Sequence, residues 1–354
     1  MHYIDALRWL HGLPDFERTG AFAPRSDVGP ILALLRGLGN PHAGRATVHV
    51  AGSKGKGSTV AMIESVLGAA GRRTGCHVSP HLHRYTERIR VGGKPIAREE
   101  FAAAMSAARA AMDAVSPVLH GREFVAFDAL TAAAFVAFRE AACDAQVIEV
   151  GLGGALDPTN VFHGDEARSD VAVMTPISLE HTAVLGGTIA EIAAQKAGII
   201  ARGSAVVVAP QRESALDVFR RLAAEREATI VEVASVCRLA RGRADLDGQE
   251  FRLRTQRAEY AGRLPLMGRH QLENAATAIV ACEELAARRG MEVTPAHVRT
   301  GLAHVTWPAR LEVIKRAPLI IIDGAHNGDS AKRMVQALRE DAGVRRASFV
   351  FGTF

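Results

Sequence analysis

The residues with the most chemical potential lie between Val48 and Thr59, in the run Val-His-Val-Ala-Gly-Ser-Lys-Gly-Lys-Gly-Ser-Thr. A short apolar alternation enters a glycine-rich turn carrying Ser53, Lys54, Gly55, Lys56, Gly57 and Ser58, and an apolar helical pattern follows from Val60. Such a strand–loop–helix can wrap its backbone around a polyanion, aim the amides of a helix N-terminus at it and neutralise charge with lysine. The standard phosphate loop has a glycine where Val50 stands, so this is a variant of the form Gly-x-x-Gly-Lys-Gly-Ser. The plainer alternative is a glycine-rich turn with a solvated lysine.

Three more groups invite chemistry. Glu149 ends the apolar run 146–150 and faces a glycine-rich stretch, Gly151 to Asn160. A carboxylate there is costly unless paired, and the end of a strand in a nucleotide fold is where ligands bind, so Glu149 is a metal-ligand candidate. The alternative is a carboxylate capping its own turn. His181 lies just past the strand expected at 171–175, on the same ligand side, although a lone histidine is more often structural. Lys196 is isolated among apolar neighbours in a helix expected over 188–198, where a snorkelling surface lysine is the ordinary reading.

The elements that must position these groups alternate between strand and helix. Helical spacing covers 2–12, 29–38 (stopped by Gly39-Asn40-Pro41), the cradle helix to about 71, 98–112, 127–142, 188–198, 214–226, 268–289, 295–302 and 329–339. Strands are expected at 74–79, 146–150, 171–175, 205–209, 229–233, 319–323 and 347–351. The arginine-rich stretch 238–257 reads as a β-hairpin region with a solvated charged face, and 307–312 as an interdomain hinge. This alternation predicts an α/β fold with a mostly parallel sheet, and the length suits one large P-loop nucleotide-binding domain plus a smaller domain.

Bulk properties narrow the class. At 354 residues, with 48 % apolar and 23 % charged residues, the chain can bury a large core and is not a disordered sequence. Basic charge comes mainly from arginine, since lysine occurs only as Lys54, Lys56, Lys94, Lys196, Lys315 and Lys332. The net charge of +5 and 5 % aromatics argue for attraction of small anions rather than for nucleic-acid binding. Cys76, Cys143, Cys237 and Cys282 lack paired spacing, so neither a zinc site nor a disulfide framework is expected. No signal-peptide pattern and no long apolar run point to a membrane, and the reading is a reduced, cytoplasmic monomer.

Taken in order, the motifs resemble the folylpolyglutamate synthase/dihydrofolate synthase family of the Mur ligase superfamily. They are Leu-Gly-Asn-Pro (38–41), His-Val-Ala-Gly-Ser-Lys-Gly-Lys-Gly-Ser (49–58), Ser-Pro-His-Leu (79–82), Arg-Tyr-Thr-Glu-Arg-Ile (84–89) and Glu-Val-Gly-Leu-Gly-Gly (149–154). Further on come Leu-Asp-x-Thr-Asn (156–160), His-Thr (181–182), Lys-Ala-Gly-Ile (196–199), Gly-x-His-Gln-x-x-Asn (268–274), Trp-Pro-x-Arg-Leu-Glu (307–312) and Asp-Gly-Ala-His-Asn (323–327). The resemblance implies that ATP phosphorylates a folate or dihydropteroate carboxylate, and that the amine of L-glutamate then displaces phosphate. It implies that Ser53 to Ser58 hold the phosphates, with Lys56 compensating charge. It also implies that Ser79, Glu149 and His181 hold Mg2+, and that Lys196 is carbamylated to ligate a second metal. Asn274, Arg310 and Asp323 would contact ATP, and Phe127, Asp128, Leu156, Asp157 and Pro158 the pterin. The resemblance further implies that the large ATP-binding domain spans 1–305 and that a smaller, truncated Rossmann-like α/β domain spans 306–354.

Departures from the family pattern are Glu180 for aspartate before His181, Ala155 for an arginine, Asp128 for glutamate, and Gly328 for proline. Competing expectations are a Mur-type peptide ligase and a nucleotide-binding remnant without ligase activity. The strand expected at 347–351 is apolar on both faces, and the stretch after Pro308 has roughly 45 residues, a size that seldom folds alone. From the sequence, ligase activity of the chain as given is therefore expected to be low.

Overall fold

A computed structural model describes residues 1–19, 26–119, 122–164 and 167–352, so Thr353 and Phe354 and part of the connection after the first helix lie outside the described residues. The strands are β1 (Ala46–Ala51), β2 (Thr74–His77), β3 (Ile89–Val91), β4 (Lys94–Pro95), β5 (Ala145–Glu149), β6 (Val171–Met174), β7 (Ala205–Val208) and β8 (Thr229–Glu232). They continue as β9 (Arg238–Asp245), β10 (Gly248–Arg254), β11 (Glu259–Leu264), β12 (Glu312–Arg316) and β13 (Leu319–Ile322). The first eight form one sheet in the order β4-β3-β2-β5-β1-β6-β7-β8. From β2 to β8 every pairing is parallel, whereas β3 and β4 add an antiparallel edge.

Parallel strands joined by crossover helices need cover on both faces, and these strands are apolar on both. Val48, Val50, Val147, Val171, Val173 and Val207 face one layer, built from the helices Lys56–Ala69, Arg269–Arg289 and Pro295–Ala303 and from the sheet β11-β10-β9. Ile148 faces the other layer together with the helices Tyr3–His11, Gly29–Gly37, Arg98–Val115 and Ala126–Glu140. Ala172, Met174, Val206 and Val208 pack there against Ile189–Lys196 and Glu213–Glu225. The cradle helix is apolar nearly all round because it is sandwiched between the sheet and two other helices.

Chain order creates the crevice. From β1 the chain moves outward to β2, returns to insert β5 beside β1, and then places β6 on the other flank of β1. That reversal is a topological switch point, and the loops after β1, β2, β5 and β6 all emerge at its carboxyl end.

Two expectations require correction. The stretch 347–351 forms no strand, and Phe349, Val350 and Phe351 are exposed: a strand apolar on both faces needs a ladder partner, and the antiparallel hairpin β12–β13 offers it none. The segment 307–312, expected to be an interdomain hinge, leads into β12, which pairs with β13. As expected, β9 and β10 pair as a hairpin, and β11 beyond it adds a third strand to the arginine-rich region. Its charges are not all solvated, since Arg241 turns inward to a buried Asp341. All four cysteines are free and buried. Among the described residues no helix is long and apolar enough to cross a membrane.

Candidate active site

The cradle forms because β1 drives its chain into a turn that only glycines can make. Gly52 has φ +147°, and a Cβ there would lie 1.9 Å from the Thr175 hydroxyl. Gly55, at φ +86°, is the N-cap of Lys56–Ala69, and its missing Cβ leaves room for the Asn274 amide. The turn is pinned to the next strand's exit: the amides of Ser53 and Lys54 donate to the Pro176 carbonyl at 3.0 and 3.1 Å, and Ser53 Oγ donates to Ser178 O at 3.1 Å. The helix N-terminus thus opens into a cavity of about 850 Å3.

Ser53, Lys54, Gly55, Lys56, Gly57 and Ser58 line this cavity, and so do Ser79, Phe127, Glu149, Leu156, Asp157, Pro158, His181, Lys196, Asn274, Arg310 and Asp323. Residues as far apart in the chain as Ser53 and Asp323 therefore line one cavity. Lys56 Nζ donates to Gly52 O at 3.2 Å, and Lys196 Nζ donates to the same carbonyl at 2.9 Å. Glu180 bridges the lysines, 3.1 Å from Lys196 and 3.6 Å from Lys54. Burial, with the charge of Lys56 adding to it, pushes the Lys196 ammonium down to about 8. Burial alone would raise the Glu180 carboxyl, but Lys196, Lys56 and Lys54 together hold it below its usual range.

Glu149 is buried at the end of β5 and accepts from the Ser79 amide at 3.2 Å. Burial raises it to about 6, against the opposing charge of Lys56. Among the described residues no group of three or more His, Cys, Asp and Glu is placed to hold a metal, so the expected set depends on the Ser79 hydroxyl and on Lys196 as well. His181 is exposed at the cavity rim with φ +47°, and burial still lowers its imidazole.

Across the cavity, Arg310 stands between Ala309 and Leu311, both left-handed at φ +55° and +51°. Asp323 braces this bend by accepting from Leu311 N at 2.9 Å and Ala325 N at 2.8 Å, and Glu312 accepts from Ala309 N at 2.9 Å. Burial raises the Asp323 carboxyl despite these bonds.

These loops have solved counterparts. Residues 124–282 match the Mur ligase middle domain. The chain is 34 % identical over 351 residues to the dihydrofolate synthase/folylpolyglutamate synthase of Bacillus subtilis (strain 168), covering 99 % of this chain and 79 % of the relative. It superposes on the apo form of L. casei FPGS with a TM-score of 0.89 at 34 % identity, covering 96 % of this chain and 80 % of that one. An FPGS–AMPPCP–folate complex gives 0.88 at 34 % identity, with the same two coverages. The chain belongs to the folylpolyglutamate synthase/dihydrofolate synthase family. Within the Mur ligase superfamily it is an ADP-forming amide ligase of that type.

Against that family pattern, the substitutions fall in distinct places. Glu180, in place of aspartate, is the residue that reaches both Lys54 and Lys196. Ala155, where the family has arginine, is off the cavity wall and donates its amide to Gln195 O at 2.8 Å. Asp128 is also off the wall and needs correction as an expected pterin residue: it is fully buried, and its carboxylate accepts from Val125 N at 2.8 Å to cap Ala126–Glu140. Asp157 lines the cavity, yet both its oxygens shape the loop by accepting from Leu152 N, Thr159 N and Thr159 Oγ1.

Several residues lining the cavity have no role expected from the sequence, among them Glu17, Arg88, His270 and Arg333. Arg88 belongs to the motif at 84–89; its guanidinium is buried, pairs with Glu17 and donates to His81 Nδ1 at 2.8 Å. His270 also lay in a motif, and burial takes its imidazole down to about 4. For Glu17 and Arg333 the local sequence carries no signal, because tertiary placement alone brings them to the wall.

Proposed function

We propose that this ligase couples L-glutamate to the carboxylate of a folate or of dihydropteroate within the cavity at the carboxyl edge of the sheet. The observation that carries the reading is the convergence of the loop 52–58, Glu149 and the Arg310–Asp323 bend on one space. A carboxylate oxygen of the acceptor attacks the γ-phosphorus of ATP, and ADP leaves. The glutamate amine then attacks the acyl carbon, phosphate leaves, and the nitrogen gives up a proton as the amide forms.

The amides at the start of Lys56–Ala69 and the Lys56 ammonium suit the β- and γ-phosphates, where negative charge shifts during transfer. Asn274, Arg310 and Asp323 are assigned to the nucleotide, and Phe127 with Leu156, Asp157 and Pro158 to the pterin side. For Mg2+, a carboxylate, a hydroxyl and an imidazole on one wall form a fitting donor set, with Ser79, Glu149 and His181 as its members. The ion would screen repulsion between the acceptor carboxylate and the triphosphate. Lys196, with its lowered affinity for a proton, suits attack by its neutral amine on carbon dioxide to give a carbamate; its pairing with Glu180 must then open. We place the domain boundary at 305/306, between the layered sheet and the unit bearing β12 and β13.

The test is ADP release by the purified chain with dihydropteroate or tetrahydrofolate, each with and without glutamate. The reading expects ADP only when acceptor and glutamate are both present. Turnover with a UDP-muramoyl substrate, or ADP release indifferent to glutamate, would overturn it.

A further inference from the structure

One closed ring of hydrogen bonds lies outside the reaction centre and ties together three separate parts of the chain. Its centre is the Gly268 residue, which precedes the helix Arg269–Arg289. The Gly268 amide donates to Asp341 Oδ2 at 2.6 Å, and its carbonyl accepts from Gln249 Nε2 at 2.8 Å. Arg241 closes the circuit: Nε donates to Gln249 Oε1 at 2.8 Å, and the guanidinium also pairs with Asp341 Oδ1. Gln249 and the Asp341 side chain are fully buried, while Arg241 is only partly so. Gln249 reaches Leu266 O as well, at 2.7 Å, so its amide is committed on both sides.

The two elements joined at this ring both furnish the cavity wall. Gly268 leads into the helix carrying His270, Gln271 and Asn274, and Asp341 caps the helix Gly328–Glu340, which carries Ser330, Arg333 and Met334. A small apolar cluster beside the ring, with Met267, Leu311 and Ala337 buried, has no polar features to fix orientation. Directional bonds can do so, because a buried charge-assisted bond is both strong and geometrically specific. Leaving either buried partner alone is costly, so the ring favours one arrangement of the two helices.

We propose that Arg241 and Asp341 are positioning residues for the nucleotide: by clamping Gly268 they hold the two helices in the register that lets both contact one bound nucleotide. This rests on the reading of the cavity as the ATP site. The hairpin that supplies Arg241 and Gln249 is thereby part of the active-site frame although it touches no substrate.

The experiment measures ADP dissociation constants together with KM for ATP and for the folate acceptor, on wild type, Arg241→Met, Asp341→Ala and the double variant. Each single variant is expected to weaken ADP and raise KM for ATP about tenfold, with acceptor KM changed by no more than about twofold. The double variant should be no worse than the single ones, because either change opens the same ring. Arg241→Lys, which keeps charge but loses the guanidinium fork, should fall between wild type and Arg241→Met. If Asp341→Ala fails to fold, Arg241→Met carries the measurement alone, since Arg241 lies on the hairpin and is partly exposed. Unchanged ADP affinity and ATP KM in a folded Arg241→Met enzyme would overturn the proposal while leaving the nucleotide site standing. Additive losses in the double variant would overturn the ring as a unit. Failure of wild type to bind ADP would overturn the nucleotide reading and this inference with it.

Discussion

Lys56 and Lys196 reach the same carbonyl, that of Gly52, yet they come from different elements and meet different surroundings. Lys56 starts a helix and is only partly buried, so it can turn from Gly52 to a phosphate at little cost. Lys196 is buried, paired with Glu180, and loses its proton more readily than an ordinary lysine. The two roles predict different chemistry on truncation. Lys56→Ala should lower ADP formation by ~100-fold or more, as for loss of one preorganised charge at a phosphoryl-transfer centre, and small carboxylates should not restore it. Lys196→Ala should be as inactive, but acetate or formate should restore part of the rate by replacing the carbamate oxygens. Steady-state ADP release in the presence and absence of these salts checks both. Equal response of the two variants to added carboxylate would refute the distinction.

At the scale of elements, the Arg310 bend shows how a loop is held in a costly shape. Two consecutive-but-one residues, Ala309 and Leu311, occupy the left-handed region, which disfavours side chains bearing a Cβ by about 1–2 kcal/mol each. The cost is met by backbone amides finding carboxylates: Glu312 takes Ala309 N, and Asp323 takes Leu311 N. Removing one brace should misplace Arg310 without disturbing the sheet. Glu312→Ala is therefore expected to lower kcat/KM for ATP by about tenfold with little change in Tm, while Glu312→Gln, which keeps an acceptor, should lose much less. Wild-type kinetics in Glu312→Ala would show that the bend holds without it. The sequence made Arg310 legible through Trp-Pro-x-Arg-Leu-Glu, but not the bend, because no local pattern tells a reader that Ala309 adopts φ +55°. The same limit explains Asp128: its acidic character is visible, whereas its use as a helix cap follows from where Val125 turns into the helix. The phosphate loop was legible because glycine spacing and strand–helix polarity are local properties. By contrast, 347–351 was misread because apolarity on both faces specifies a strand only where a ladder exists to receive it.

For the molecule as a whole, the layered core carries a cost that pH exposes. His42 and His49 are buried beside Phe162 on one face of the sheet, and each has an Nδ1 atom with no hydrogen-bond partner among the described residues. Burial takes His42 from its ordinary value of 6.5 to about 4, and His49 to about 3. The unfolded chain therefore binds protons that the folded chain refuses, and stability must fall as pH drops below about 6.5. Glu149 opposes this, since its raised value lets the folded state take up a proton first and so adds stability between about pH 6 and its ordinary value. Comparing wild type with His49→Gln removes that opposing contribution, because Glu149 is common to both. Glutamine can still meet the Thr159 hydroxyl, which His49 Nε2 contacts at 2.9 Å, so the variant tests charge rather than packing. Between pH 7.5 and 5, wild type should lose about 2 kcal/mol more than His49→Gln, from one proton excluded over some one and a half pH units at ~1.4 kcal/mol each. Urea unfolding midpoints at those two pH values measure the difference directly. Parallel losses in the two proteins would mean that His49 is protonated within the fold, with the core rearranging around Phe162 to admit the charge.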